Sequence, residues 1–189
     1  MNNASVRIGV LGDLGIGKSE LVHRICHPGN TAPSGTSDWS GPTVDVLDFE
    51  RAGGQENVWI EFLIFPSETK HASPRQMLYG IGLDAIFLVC DCTVSRSFLH
   101  ASEWLEEARE APGLLNVPTA LVLGGPSIIA DWVSSKAISR LVEPLVETYG
   151  ARVINLSGFL SAARLDAKQQ LLLAKFYEWV LRRKLANLK

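Results

Sequence analysis

The sequence predicts an α/β domain built on a mostly parallel sheet with helices on both faces. Three observations carry that reading. Short, wholly apolar runs alternate with segments whose apolar residues recur at helical spacing, the pattern of strands buried on both faces by crossover helices. A glycine-rich stretch, Gly12–Gly17, directly follows the first apolar run and opens a helix. Finally, 47% of the 189 residues are hydrophobic and 20% charged, enough to bury a core on either side of a sheet.

In chain order, Val6–Leu11 is a short apolar run stopped by Gly12, and Gly17–Cys26 follows as a helix. Pro28 to Gly41 is rich in Gly, Pro, Ser, Thr and Asn, and reads as a long loop. Thr43–Phe49 and Val58–Phe65 are two strands joined by a loop with Gly53 and Gly54, so they predict a hairpin and one antiparallel strand at the sheet edge. Ala85–Cys90 and Thr119–Leu123 are further buried strands, and Arg152–Leu156 is the sixth. Between them, Phe98, Ala101, Leu105 and Ala108 mark one helix, and Ile138 through Tyr149 mark another with Pro144 as an expected kink. Leu165, Leu172, Phe176, Trp179 and Val180 mark the last helix. One domain over residues 1–189 is the expectation for a chain of this length.

Charge and cysteine content remove several classes of function. Lys+Arg number 18 against 20 Asp+Glu, a formal charge of −2, which gives no electrostatic basis for binding nucleic acid or acidic lipid. Three cysteines, Cys26, Cys90 and Cys92, are an odd and sparse set that fits a reducing compartment. No apolar run is long enough to span a bilayer, the start lacks a signal-peptide layout, and the end carries no cysteine for a lipid anchor. A cytoplasmic domain is expected.

Gly12-Asp13-Leu14-Gly15-Ile16-Gly17-Lys18-Ser19 matches G-x-x-x-x-G-K-[ST], and it stands between a strand and a helix as that motif requires. Its glycines let successive backbone N–H groups turn toward one anion, and the helix that follows offers its unpaired N–H groups to phosphate. Lys18 supplies a cation for the outer phosphates, and the Ser19 hydroxyl is the Mg²⁺ ligand of such loops.

Together with six strands and one hairpin, these residues resemble a Ras-superfamily G domain over nearly the whole chain. Val10 through His23, Val44-Asp45-Val46, Ile60-Glu61-Phe62 and Ile154-Asn155-Leu156 are similar to the motifs of the Rab-like protein 3 group of atypical Rab relatives. The resemblance implies GTP or GDP with Mg²⁺ as cofactors, and nucleotide contacts from Gly12 through Ser19 and from Glu20. It implies a further weak contact from Ser157-Gly158, in the place of the family's third base-contacting loop. Thr43, preceded by Pro42, matches the family's switch-one threonine and would join Ser19 on Mg²⁺; alignment on Gly41 would put Trp39 there instead, and both alignments stand. Protein partners are expected through the 28–43 loop and the hairpin region, where Trp39 is a large aromatic in a polar loop; homodimerisation through that loop is left open. Trafficking membranes and the cilium are locations found among such relatives.

The family pattern breaks in two places. Where the family carries D-x-x-G at the end of the hairpin's second strand, this chain has Ile64-Phe65-Pro66-Ser67. Where N/T-K-x-D reads guanine, it has Gly124-Gly125-Pro126-Ser127-Ile128. Asp38-Trp39-Ser40-Gly41 is a D-x-x-G in a loop, and Gly53-Gly54-Gln55-Glu56 is read as hairpin loop in preference to the Rab-type glycine–glutamine motif. With no catalytic glutamine or arginine finger assigned, hydrolysis is expected to be very slow or lost, because charge stabilisation supplies most of the rate of phosphoryl transfer. The alternative is an active switch with unorthodox base and switch loops.

Three other groups are read as structural. His23 and His27 stand four apart on a helix, a metal-binding spacing, but no third ligand is visible in the sequence. Cys90 and Cys92 read as core fillers, and Arg182-Arg183-Lys184 as cations at a helix end.

Overall fold

The computed structural model describes residues 5–30, 42–51, 53, 56–68, 72–124, 136–156, 158 and 164–187. In order they form β1 (Ser5–Leu11), α1 (Lys18–Cys26), β2 (Thr43–Phe49), β3 (Val58–Ile64), α2 (Ala72–Gly80), β4 (Ala85–Asp91), α3 (Ser95–Arg109), β5 (Thr119–Gly124), α4 (Lys136–Tyr149), β6 (Arg152–Asn155) and α5 (Ala167–Asn187). The six strands make one sheet in the order β2-β3-β1-β4-β5-β6. β2 runs antiparallel to β3, and every other pairing is parallel. The α/β class, the six strands and the antiparallel edge strand are as the sequence predicts.

Strand periodicity divides the core into two. Along β4, Ala85, Phe87 and Val89 join a cluster with α1 and α5, whereas Ile86, Leu88 and Cys90 join a second cluster with α2, α3 and α4. β5 divides likewise, Ala120 and Val122 to one side and Leu121 and Leu123 to the other. Each strand must therefore be apolar at successive positions, which is why these segments read as continuous apolar runs. Cys90 and Cys92 are buried in the second cluster, as expected of core fillers.

Some boundaries differ from expectation. α2 is missing from the sequence reading because exposed residues such as Gln76 and Met77 leave it little apolar periodicity. Its buried anchors are instead Tyr79 and the charged Arg75. α4 continues through Pro144. α5 begins after Leu165, where Asp166 and Gln169 form a reciprocal cap: Gln169 N–H donates to Asp166 Oδ1 (2.7 Å) and Asp166 N–H to Gln169 Oε1 (3.1 Å). The cations at the end of α5 make tertiary bonds, Lys184 Nζ to Asp84 Oδ2 (2.7 Å) and Arg183 Nη2 to Asn116 O (2.9 Å).

The topology decides where a ligand would sit. β1 pairs with β3 on one side and β4 on the other, so the strand order reverses beside it. In open α/β sheets ligands bind at the carboxyl ends of the strands at such a reversal. The loops after β1, β3 and β4 all emerge at that edge. The β2–β3 turn lies at the opposite edge: Phe49 pairs with Val58, Gly53 turns with φ 80°, and Arg51 binds Glu178 of α5 at 3.1 Å. That placement supports the hairpin-loop reading and takes Gly53 and Glu56 away from the phosphate loop. Gly54 and Gln55 themselves lie outside the described residues.

Candidate functional site

Two glycines shape the loop after β1. Gly12 has φ 138°, and a Cβ there would come within 2.6 Å of the Val89 carbonyl oxygen, so only glycine lets the loop leave β1 this close to β4. Gly17 has φ 83° in the left-handed region and caps α1, turning the chain so that Lys18 and Ser19 open the helix. Leu14 is exposed at the loop, and Ile16 packs against the core.

Lys18 is the centre of the site and is only 8% exposed. Its ammonium donates to Gly12 O (2.9 Å), Asp13 O (2.8 Å) and Ser67 Oγ. Burial lowers its pKa to about 8, against the opposing pull of the Asp13 carboxylate. The two carbonyls hold the ammonium over the loop, and its third hydrogen bond is the one a phosphate oxygen would take. Ser67 in turn donates to Gly12 O (2.9 Å), which ties the segment after β3 to the phosphate loop.

α3 fixes the loop from the other side. Trp104 Nε1 donates to Asp13 Oδ1 (2.9 Å), and His100 Nδ1 pairs with Asp13 Oδ2 (2.9 Å). Glu20, in the first turn of α1, pairs with Arg24 at 2.5 Å. A cleft of about 640 Å³ opens beside the loop, lined among others by Asp13, Leu14, Ser67, Arg75, His100 and Trp104.

The segment after β3 has a different character. Ile64 is 7% exposed in the core, opposite Thr43 on β2 and Val10 on β1. Phe65 stacks on Tyr79 with ring centroids 4.8 Å apart. Arg75 of α2 makes a two-pronged pair with Glu107 of α3 (2.6 and 2.7 Å) and donates to Glu68 O (2.7 Å) and Pro66 O (3.3 Å). Its guanidinium also lies 4.9 Å from the Trp104 ring centroid. These bonds hold α2, α3 and the 66–68 segment to one another.

Gly12 through Ser19 therefore form one loop closed around the Lys18 ammonium at the start of α1. Thr43 opens β2 beside Ile64, in the strand position rather than in a loop. Gly158 follows β6 with φ 82°, while Ser157, Trp39, Asp38 to Gly41 and Gly125 to Ile128 lie outside the described residues. The cradle fits nucleotide phosphates, since a buried ammonium and a helix N-terminus face one loop. Ser19 opens α1 and Thr43 opens β2, the two hydroxyls that the sequence resemblance assigns to Mg²⁺, and Ile64 stands where that family has a carboxylate. Ser67 as a partner of Lys18, and the Asp13 contacts with His100 and Trp104, escape a sequence reading. The one available signal is that polar His100 falls between the apolar positions of α3.

This loop on this strand order defines a P-loop nucleotide-binding fold. The chain is 28% identical over 111 residues to "Ras-related protein RHN1" of Nicotiana plumbaginifolia, covering 58% of this chain and 52% of the relative. It is 33% identical over 109 residues to "Ras-related protein Rab-39A" of Homo sapiens, covering 54% and 48%. It is 27% identical over 169 residues to "Rab-like protein 3" of Mus musculus, covering 82% and 69%. The chain thus spans about half the length of the first two relatives. No protein-family model matches it. With the fold, these matches make the chain similar to Ras-related and Rab-like proteins at low identity.

Proposed function

We propose that this chain is a regulatory, partner-binding Rab-like protein that retains nucleotide binding at its phosphate loop and has little or no hydrolytic activity. One observation carries the reading. The Lys18 cradle is complete, yet the adjoining strand ends in a core isoleucine, Ile64, where the family has a carboxylate, and Ser67 occupies the lysine's third hydrogen bond. Gly12 through Ser19 would hold the phosphates of GTP or GDP, and Ser19 with Thr43 would hold Mg²⁺, which shields phosphate charge when bound. A scaffold role, in trafficking or at the cilium, accords with that combination. The edge strand supports a protein partner: Val44 (62% exposed), Val46 (44%) and the neighbouring Trp59 (49%) present apolar side chains on one face of the β2–β3 pair.

The test is the nucleotide content of protein purified gently in Mg²⁺, identified by chromatography, with Lys18→Ala as control. The expected result is bound guanine nucleotide that the variant loses, with single-turnover hydrolysis by the parent no faster than that of GTP free in buffer. Rapid hydrolysis would establish the active-switch reading instead. An empty protein that shows no thermal shift with GTP–Mg²⁺ or ATP–Mg²⁺ would remove nucleotide from the proposal and leave a partner-binding scaffold.

A further inference from the structure

We propose that His23, His27 and Asp45 form a binding site for a divalent transition metal of the zinc class, tying the end of α1 to the edge strand β2. It uses residues other than those of the phosphate loop.

The fold brings the third donor to a pair that the sequence shows as incomplete. His23 and His27 are one turn apart on α1, and so share a face. On β2, Thr43, Asp45, Leu47 and Phe49 share the face turned toward α1, where Leu47 and Phe49 pack against the core. Asp45 is thereby set against the two imidazoles, 18 residues from His27 in sequence. His27 Nε2 lies 3.0 Å from Asp45 Oδ1, His23 Nδ1 lies 3.8 Å from Asp45 Oδ2, and the two rings have centroids 4.7 Å apart. One ligand atom from each residue falls within 4.8 Å of the others.

The second observation is an unpaired atom. His23 Nε2 is buried and has no hydrogen-bond partner. Its Nδ1, at 3.8 Å from the carboxylate, is too far away for a hydrogen bond. A helix-surface pair of histidines accounts for the His27–Asp45 bond but not for a second imidazole held beside the same carboxylate without a hydrogen bond to it. A cation shared by Asp45, His27 and the Nδ1 of His23 accounts for that placement.

The donor chemistry selects the ion. Two imidazoles and one carboxylate suit Zn²⁺ and its neighbours in the first transition row, whereas Mg²⁺ and Ca²⁺ prefer sites made of oxygen. Zinc–nitrogen and zinc–oxygen bonds of about 2.0–2.2 Å put tetrahedral ligand atoms roughly 3.3 Å apart, so side-chain rotations of about 1 Å or so close the present arrangement. The side chains are partly exposed, His23 and Asp45 at 23% and His27 at 41%, so an ion can enter and water can take the fourth position. Cys26, although adjacent in α1, is not among the three ligands.

The experiment uses the full chain, stripped with chelator and shown by circular dichroism to be folded. Zn²⁺ is titrated against a chromophoric chelator, and Co²⁺ is bound in parallel as a spectroscopic probe. The expected result is one Zn²⁺ per chain and visible Co²⁺ bands without a thiolate charge-transfer band. His23→Ala, His27→Gln and Asp45→Asn should each weaken binding by at least the ~10–100-fold that loss of even an outer partner costs at such sites. Cys26→Ser and Lys18→Ala should bind as the parent does, which separates this site from cysteine ligation and from the nucleotide cradle. Absence of Zn²⁺ binding by the folded parent would overturn the proposal. So would a thiolate band, or full binding by the His23→Ala and His27→Gln variants.

Discussion

Two neighbouring loops at the same edge of the sheet have followed different courses. The loop after β1 keeps its strained glycines and points a buried lysine into the cradle, so its polar groups are arranged for a ligand. The segment after β3 directs its bonds inward: Ile64 and Phe65 enter the two cores, Ser67 caps Lys18, and Arg75 bolts α2 to Glu107. The first loop keeps its lysine at the loop carbonyls and shares only one bond of it with Ser67, whereas the second spends its charged groups on α2 and α3. A segment whose charged groups are already paired has less to gain from a γ-phosphate.

Four experiments would break or sharpen that contrast. The largest effect is expected for Arg75→Met. It leaves Glu107 with the Tyr79 hydroxyl but no cation, and loss of one partner from a buried pair costs roughly 3–5 kcal/mol. Urea denaturation checks this, and a cost under about 1 kcal/mol, the range of an exposed pair, would show that α2 is not held by the pair. Ile64→Asp comes next. It puts a carboxylate into apolar core and should cost about 2–4 kcal/mol without ligand. If Mg²⁺–GTP restores that loss and speeds hydrolysis, the missing carboxylate is what separates the two loops.

The third concerns pH. Lys18 has its pKa lowered to about 8 from 10.5 by burial, so between those values the unfolded chain binds more protons than the folded one. Its contribution to stability therefore rises with pH across that window, by up to roughly 3 kcal/mol, and is flat below it. The difference in unfolding free energy between the parent and Lys18→Met, followed from pH 7 to 10.5, should show that slope; a constant difference would mean that the ammonium is better solvated than its bonds indicate. The smallest effect is that of Ser67→Ala, which frees one hydrogen bond of Lys18 for phosphate. Nucleotide affinity should rise by a factor of a few, in keeping with the ~1 kcal/mol net worth of one hydrogen bond. A fall would make Ser67 a part of the binding site instead of a competitor for it.

Much of this architecture was legible in the residues. β2 is bounded as the sequence predicts, β3 ends one residue earlier than expected, and the remaining strands differ by about a residue, because buried parallel strands and hairpins leave a local signature. α2 was not legible: its hold on the domain comes from Arg75 and Tyr79 reaching Glu107 on α3, 28 residues and more away. The same is true of Asp13, whose carboxylate looks like a loop residue until α3 supplies His100 and Trp104.

What the sequence determined by itself is whatever depends on near neighbours: the alternation of strands and helices, the glycine turns of the phosphate loop, and the replacement of a carboxylate by Ile64. These follow from backbone sterics and from burial at fixed periods, which act within a few residues. Only the tertiary structure decided which polar groups meet. It set Asp45 against His23 and His27, Ser67 against Lys18, and Glu107 against Arg75, because docking a helix on a sheet brings together side chains that no local rule relates.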